Sequence, residues 1–307
     1  MPVERVAVVG CGTIGTGWAI FFRARGLEVR VWDPAADHAD RIERAVEDGE
    51  ADLRTLGLMA QPPGRIVFCA RAEEAVEGAS FVQESAPEQL ELKRTLYRRI
   101  APALPPDALL ASSTSFLQPS ALQEDLPFAE RLVVGHPFNP PHLIPLVEVV
   151  GGRWTAPGTV DRALAFYAGL GKRAIRLNHE APGHLANRLQ AALWREAVHA
   201  VESGLATVAD VDAAIAHGPG LRWALMGPHL TFHLAGGEGG MAHFLDHLGD
   251  ANEAMWRQLG TPGLTPRTRT ALIEGCAREA EGHTVGELRR RRDAQLVALL
   301  ASSRRIT

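Results

Sequence analysis

The chain has 307 residues, 46% of them hydrophobic, which is enough for one large core or two moderate ones, and two domains is the better expectation. A formal charge of -4 and the lack of any basic run long enough to follow a phosphate backbone exclude a nucleic-acid binder, and Arg289-Arg290-Arg291-Arg292 reads as a solvated helix face. No apolar stretch of about 18 residues could span a membrane. No leader-like segment precedes the first strand, and Cys11, Cys69 and Cys276 form no CxxC pair, so a cytoplasmic protein in a reducing compartment is expected.

Val6 to Val9 reads as a buried strand, and Gly10-Cys11-Gly12-Thr13-Ile14-Gly15 follows it directly, leading into a helix through Trp18 to Phe22. Strand, glycines and helix in this order form a dinucleotide loop. The first glycine permits a tight turn, the second lets backbone approach a pyrophosphate, and the third lets the helix pack closely on the strand. The helix N-terminus, with its free amides and positive dipole end, is where the phosphates rest. Gly26 ends that helix and Leu27 to Trp32 forms a second strand, finishing at Asp33. A carboxylate there accepts from the adenosine ribose hydroxyls and repels a 2′-phosphate, which favours NAD over NADP.

Further strands are expected at Ile66–Phe68, Phe81–Glu84, Leu109–Ala111, Leu132–Val134 and Leu146–Val150, with helical patterns between them. This alternation predicts an α/β, doubly wound, mostly parallel sheet of the Rossmann type, with ligands beyond the carboxyl ends of its strands. Three loops at those ends carry polar groups. Ser85-Ala86-Pro87-Glu88 opens a helix through Lys93, so that Glu88 and Lys93 either reach a nicotinamide ribose or, for Glu88, merely place a negative charge in a first helical turn. Ser112-Ser113-Thr114-Ser115 is a polar cluster that would also suit an N-cap for a helix near Pro119. Gly135-His136-Pro137-Phe138-Asn139-Pro140-Pro141 puts a histidine at one strand end, and Glu148 lies in the next apolar run. Either the two are a base and the carboxylate that fixes its tautomer, or a turn histidine and a strand-edge glutamate.

After Ala174 to Leu177 the pattern becomes helical, and Pro182-Gly183 is the natural boundary, which gives domains 1–182 and 183–307. A long helix is expected from Gly183 through Trp194 to Val201, with Asn187 in its first turn; that side chain faces either the cleft expected between domains or water. A segment rich in glycine and apolar residues runs from Gly218 to Gly240, and a last helix covers Val285 to Ser302. Apolar helices of this kind call for a partner, so a homodimer is expected. The pairs His229/His233 and His243/His247 have HxxxH spacing, but no cysteine or HExxH accompanies them and glycines interrupt the segment, so no metal is expected.

GCGTIG, SAPEQLELK, SSTS, GHPFNPP with PLVEVV, and PGHLANR occur in an order that resembles the 3-hydroxyacyl-CoA dehydrogenase superfamily over essentially the whole chain. The resemblance implies that His136 is a general base, Glu148 holds it, and Ser115 and Asn187 contact the substrate oxygen. It also implies NAD contacts from Gly10, Gly12, Thr13, Ile14, Gly15, Asp33, Glu88 and Lys93. FVQESAPE, ALWREAVH and GLRWALMGPHLTFHLAGGEGGMAHF look most like the branch that oxidises carnitine, with the L-gulonate and short-chain acyl-CoA branches as alternatives, and an NAD-binding protein without catalysis as a third. Carnitine is a 3-hydroxy acid with a trimethylammonium group, which calls for a cation opposite its carboxylate and aromatic faces around its nitrogen. Arg222 and Trp223, with Phe138, Trp194 and Phe232, are the candidates, each of the aromatics being equally suited to a core.

Overall fold

The computed structural model describes residues 5–303, so the first four residues and the last four of the expected domain ranges lie outside the described residues. In chain order the first part forms β1 (Arg5–Val9), α1 (Thr13–Ala24), β2 (Glu28–Trp32), α2 (His38–Thr55), β3 (Ile66–Phe68), α3 (Ala72–Val76), β4 (Phe81–Glu84) and α4 (Leu90–Ile100). It continues with β5 (Leu109–Ser112), α5 (Pro119–Gln123), β6 (Leu132–Pro137), β7 (Leu146–Gly151), α6 (Thr159–Gly169) and β8 (Arg173–Arg176). The strands make one eight-stranded sheet in the order β3-β2-β1-β4-β5-β6-β7-β8. Strands covered on both faces lose the usual apolar-polar alternation. In β1, Val6 and Val8 enter a core with Trp18, Phe21, Phe22 and Tyr167 of α1 and α6. Ala7 and Val9 enter the opposite core with Val76, Leu96, Tyr97 and Ile100 of α3 and α4.

All strand pairs are parallel except β6 with β7, which run antiparallel. The short connection between them turns back within 138–145, where the amides of Leu143 and Ile144 both reach the Pro140 carbonyl at 3.1 and 3.0 Å. Its register sets His136 directly opposite Glu148. The histidine therefore lies inside a strand that extends to Pro137 rather than just beyond its end. Gly135 makes this placement possible, because a Cβ there would stand 2.1 Å from the Tyr167 hydroxyl.

The same connection is held from below by Lys172, just before β8, whose Nζ donates to the carbonyls of Ile144 (2.9 Å) and Pro141. The ammonium lies 4.3 Å from the Phe21 ring centre and 5.1 Å from that of Trp18. Burial, with a smaller contribution from Arg25, pushes its pKa down to about 7. A folded-state pKa below the unfolded one means that between about 7 and 10.5 the unfolded chain holds a proton that the folded chain lacks. Folding stability from this group is therefore present above that window and is lost as pH falls towards its lower end. Lys172→Met should remove this dependence: urea unfolding at pH 7 and at pH 9.5 should show wild type gaining stability relative to the variant at the higher pH, and a constant difference would refute the lowered pKa.

The chain divides into two compact units, the first running to Asn187 and resuming at Asp293, the second being 188–292. The second is helical: α7 (Ala186–Glu202), α8 (Val208–Ala216), α9 (Pro219–Trp223), α10 (Pro228–Ala235), α11 (Gly240–Trp256), α12 (Pro266–Glu279) and the start of α13 (Val285–Ser303). The α7 helix begins three residues later than the sequence pattern suggests, since Gly183 and His184 have φ of +75° and +51°, outside helical space. The glycine-rich segment resolves into the short α9 and α10, each opened by a proline in its first turn. Thr207 caps α8 in a reciprocal box with Asp210. The last turns of α13 return to the first unit, where Val297 packs with Leu56 and Leu143. No helix among the described residues is long and apolar enough to cross a membrane.

Candidate active site

The glycine loop at the end of β1 is shaped by close approach. A Cβ on Gly10 would lie 2.6 Å from the Ala86 amide nitrogen, and one on Gly15 would lie 1.8 Å from the Gly10 carbonyl oxygen, whereas nothing stands within 4 Å of the corresponding point on Gly12. Gly12 is the N-cap of α1, which carries no acidic residue in its first turn, and Thr13 and Ile14 supply the first helical amides. An exposed helix N-terminus with open space above it suits a pyrophosphate. Asp33 follows β2, its Oδ2 accepting from the Cys11 amide (2.6 Å) and its Oδ1 from the Ala35 amide (2.9 Å). Gly10, Gly12 and Asp33 line a cavity of about 490 Å³ with Trp32, Pro87, Leu96 and Arg99. These residues fit an adenine dinucleotide. Burial, followed by the Asp33 charge, pushes the Cys11 thiol up to about 12, which leaves it a packing group and not a nucleophile.

The two residues expected beside the nicotinamide ribose, Lys93 and Glu88, both make bonds within the protein. Lys93 is 1% exposed; its Nζ donates to Glu84 Oε1 at 2.6 Å and to the Ala86 carbonyl at 2.9 Å, beside the cavity that Ala86 lines. The physical reason is the face it occupies on α4, in line with Leu96, Tyr97 and Ile100, all buried. Glu84 is the hub of that layer, since it also accepts from the Ser112 hydroxyl (2.7 Å), from the Ala86 amide (2.6 Å) and from Tyr97. Glu88 is exposed, and one carboxylate oxygen gathers the amides of Ser115 (3.0 Å) and Phe116 (2.9 Å) and the Thr114 hydroxyl. It braces the serine loop rather than only charging a helix end. That loop caps no helix: the N-cap of α5 is Gln118, without a side-chain bond.

Beyond the loop lies a continuous polar line. Glu148, fully buried on β7, accepts at Oε2 from His136 Nδ1 (2.9 Å). The amides of Leu185 (3.0 Å) and Ala186 (2.8 Å) donate to its Oε1. Burial alone would raise the Glu148 pKa, but the bond from His136 and the two amides outweigh it and hold the carboxyl below its ordinary value. An ionised carboxylate can only accept, so Nδ1 carries the imidazole hydrogen and Nε2 presents its lone pair. Ser115 Oγ stands 3.2 Å from that Nε2. The Phe138 ring meets the imidazole edge-on at 5.0 Å. Asn187, half-buried in the first turn of α7, follows directly on the Ala186 amide that binds Glu148.

The remaining predicted substrate residues belong to the second unit. Trp194 lies on α7, Arg222 and Trp223 end α9, and Phe232 on α10 packs at 4.9 Å against Phe244 of α11; all four side chains of the predicted set are exposed. His233 Nδ1 accepts from the Met241 amide at 3.1 Å, and the rings of His243 and His247 lie 4.1 Å apart, tilted by 39°. Among the described residues no group of three or more His, Cys, Asp or Glu is placed to hold a metal ion. One residue beside the base was not singled out from the sequence: His184, whose ring centre lies 5.1 Å from that of His136. Its neighbours in sequence bind Glu148, and only its left-handed backbone, which residue types do not reveal, turns it inward.

Known proteins match the chain over nearly its whole length. Residues 5–180 match the NAD binding domain of 3-hydroxyacyl-CoA dehydrogenase and residues 183–270 match that family's C-terminal domain. An L-carnitine dehydrogenase of Streptomyces griseus is 51% identical over 305 residues, 99% of this chain and 91% of that one. One from a Pseudomonas species is 44% identical over 97% of this chain and 93% of its own. Among solved structures, an NAD+-dependent 5-formyl-3-hydroxy-2-methylpyridine 4-carboxylic acid 5-dehydrogenase superposes with a TM-score of 0.86 at 29% identity, covering 99% of both chains. The 3-hydroxybutyryl-CoA dehydrogenase of Escherichia coli gives 0.68 at 27% identity over 90% of this chain and 57% of its own.

Proposed function

The chain belongs to the 3-hydroxyacyl-CoA dehydrogenase family, and from that membership we propose that it oxidises the 3-hydroxyl of L-carnitine to 3-dehydrocarnitine with NAD. The line Glu148–His136–Ser115 carries the chemical part of this reading. His136 Nε2 takes the hydroxyl proton while Glu148 stabilises the imidazolium that results, and Ser115 and Asn187 orient the substrate oxygen. Bound NAD supplies the hydride acceptor, held by the amides at the α1 N-terminus and by Asp33. The relatives' activity, at 42–51% identity over nearly the full chain, supports carnitine as the substrate. A guanidinium at Arg222 and aromatic faces at Trp223, Trp194, Phe232 and Phe138 are what its carboxylate and quaternary nitrogen require.

In this reading 1–182 binds NAD and 183–307 serves substrate and self-association. Leu205, Leu225, Trp256 and Ile273 of the second unit are 79, 67, 66 and 70% exposed, which supports a homodimer that covers them. The setting is cytoplasmic. The deciding assay follows NADH formation at alkaline pH with L-carnitine beside D-carnitine, L-gulonate and 3-hydroxybutyryl-CoA. Saturable turnover of L-carnitine is the expected result. Turnover of only one of the others would discard the carnitine assignment while keeping the cofactor, and inactivity with all four would discard the dehydrogenase reading.

A further inference from the structure

The turn just before α7 reaches Glu148 and His136 directly, and Ser115 through its neighbour Thr114. Its first residue, Gly183, adopts a left-handed backbone freely, but His184 follows with φ +51°, a conformation that disfavours an L side chain. Strain of this kind persists only where the surroundings over-determine it. The His184 ring is 2% exposed and tilted 43° to that of His136. Its Nε2 lies 2.9 Å from the Thr114 carbonyl oxygen, which can only accept, so Nε2 carries the hydrogen and Nδ1 is left as a buried lone pair with no partner. A ring present only to fill space would carry no such unsatisfied atom, because an apolar side chain fills the same volume without it.

Three connections radiate from this residue. Thr114, which it holds, directly precedes Ser115, the hydroxyl facing His136 Nε2. The amides of the next two residues, Leu185 and Ala186, are the pair that grips Glu148 Oε1. The ring itself walls one side of the base. Burial, opposed by the Thr114 bond and helped by the nearby His136, lowers the His184 pKa, so the second imidazole stays uncharged beside the first.

We propose that His184 is a positioning residue: its N–H fixes the Thr114 carbonyl and its backbone aims two amides at Glu148, so that Ser115 and Glu148 stay in register on His136 through each proton transfer. This rests on His136 being the base, which the His136 variant described below tests separately. A misplacement of about an ångström costs as much as ~10²-fold in rate even when the chemical groups are intact.

His184→Phe keeps the bulk and removes the N–H; His184→Gln restores an N–H that can reach the same carbonyl. His184→Asn tolerates the left-handed backbone but is too short to reach Thr114, so it reads the same loss without added strain should the phenylalanine variant fail to fold. The expected result is a kcat lowered ~10–100-fold in His184→Phe and His184→Asn with KM for NAD unchanged, and recovery to within ~3-fold of wild type in His184→Gln. Wild-type kcat in the folded Phe or Asn variant would overturn the proposal. So would an equal loss in all three accompanied by a raised KM for NAD, the pattern of general disruption.

Discussion

His136→Ala should lower turnover ~10²–10⁴-fold while NAD binding stays at its wild-type strength. The ring is the only group in the described site that combines a free lone pair at Nε2 with a carboxylate behind it at Nδ1. Without it, the substrate proton has no acceptor of suitable basicity at that point, and Ser115 is too weak a base to replace it. The cofactor groups lie on the β1 loop and at the end of β2, remote in the chain and unconnected to His136 by any of the hydrogen bonds described. Steady-state NADH formation together with quenching of protein fluorescence by NAD separates the two effects. Turnover within threefold of wild type would remove His136 as the base.

Glu148→Gln should be nearly as damaging although it changes one atom. Its remaining oxygen can keep the Leu185 and Ala186 amides, but the new NH₂ then faces His136 Nδ1 as a donor. The imidazole must answer with a lone pair at Nδ1, which moves its hydrogen to Nε2 and blocks the position that receives the substrate proton. Flipping the amide instead sets NH₂ against two backbone N–H groups. Loss of the same kind of orienting carboxylate in the serine-protease triad costs ~10⁴-fold, and a fall of ~10²–10⁴-fold in kcat with little change in KM is expected here. The variant should also lose an acid sensitivity. Because the Glu148 pKa is lowered on folding, its stabilisation is present above the ordinary carboxylate value and vanishes as pH falls through the lowered one. Acid unfolding followed for both proteins should show wild type converging on Glu148→Gln at low pH; parallel curves, or full turnover in the variant, would refute the account.

Much of this was readable from the chain alone. The glycine loop, the acid at the end of the second strand and the alternation of strands and helices each follow from local pattern, because a parallel sheet demands continuous apolar runs and tight turns. The meeting of His136 and Glu148 follows from two apolar runs joined by a short proline-rich link, too short for a crossover helix, so the strands must be antiparallel neighbours. What local pattern hides is direction. Lys93 reads as a cofactor contact from its place in the helix that the SAPE loop opens, and its spacing to Leu96, Tyr97 and Ile100, which puts it on the inward side of α4, is a second signal present in the sequence. His184 had no comparable signal, since its placement depends on a backbone angle that its residue type does not specify. The brace that Glu88 gives the Ser115 loop depends on partners distant in sequence.

Both lysines of the chain, Lys93 and Lys172, are buried, and the other basic side chains are arginine or histidine. A compact ammonium with three donors can be satisfied by a carboxylate and a carbonyl, or by two carbonyls over aromatic faces, where the five N–H groups of a guanidinium would not all find acceptors. The consequence reaches practical chemistry. Succinimidyl esters, reductive methylation and aldehyde cross-linkers find no lysine on the folded surface, so supports and dyes cannot be attached through one. Conversely, each lysine that does take up such a reagent marks a molecule whose sheet has opened, and mass spectrometry of the labelled chain becomes a direct count of unfolding events.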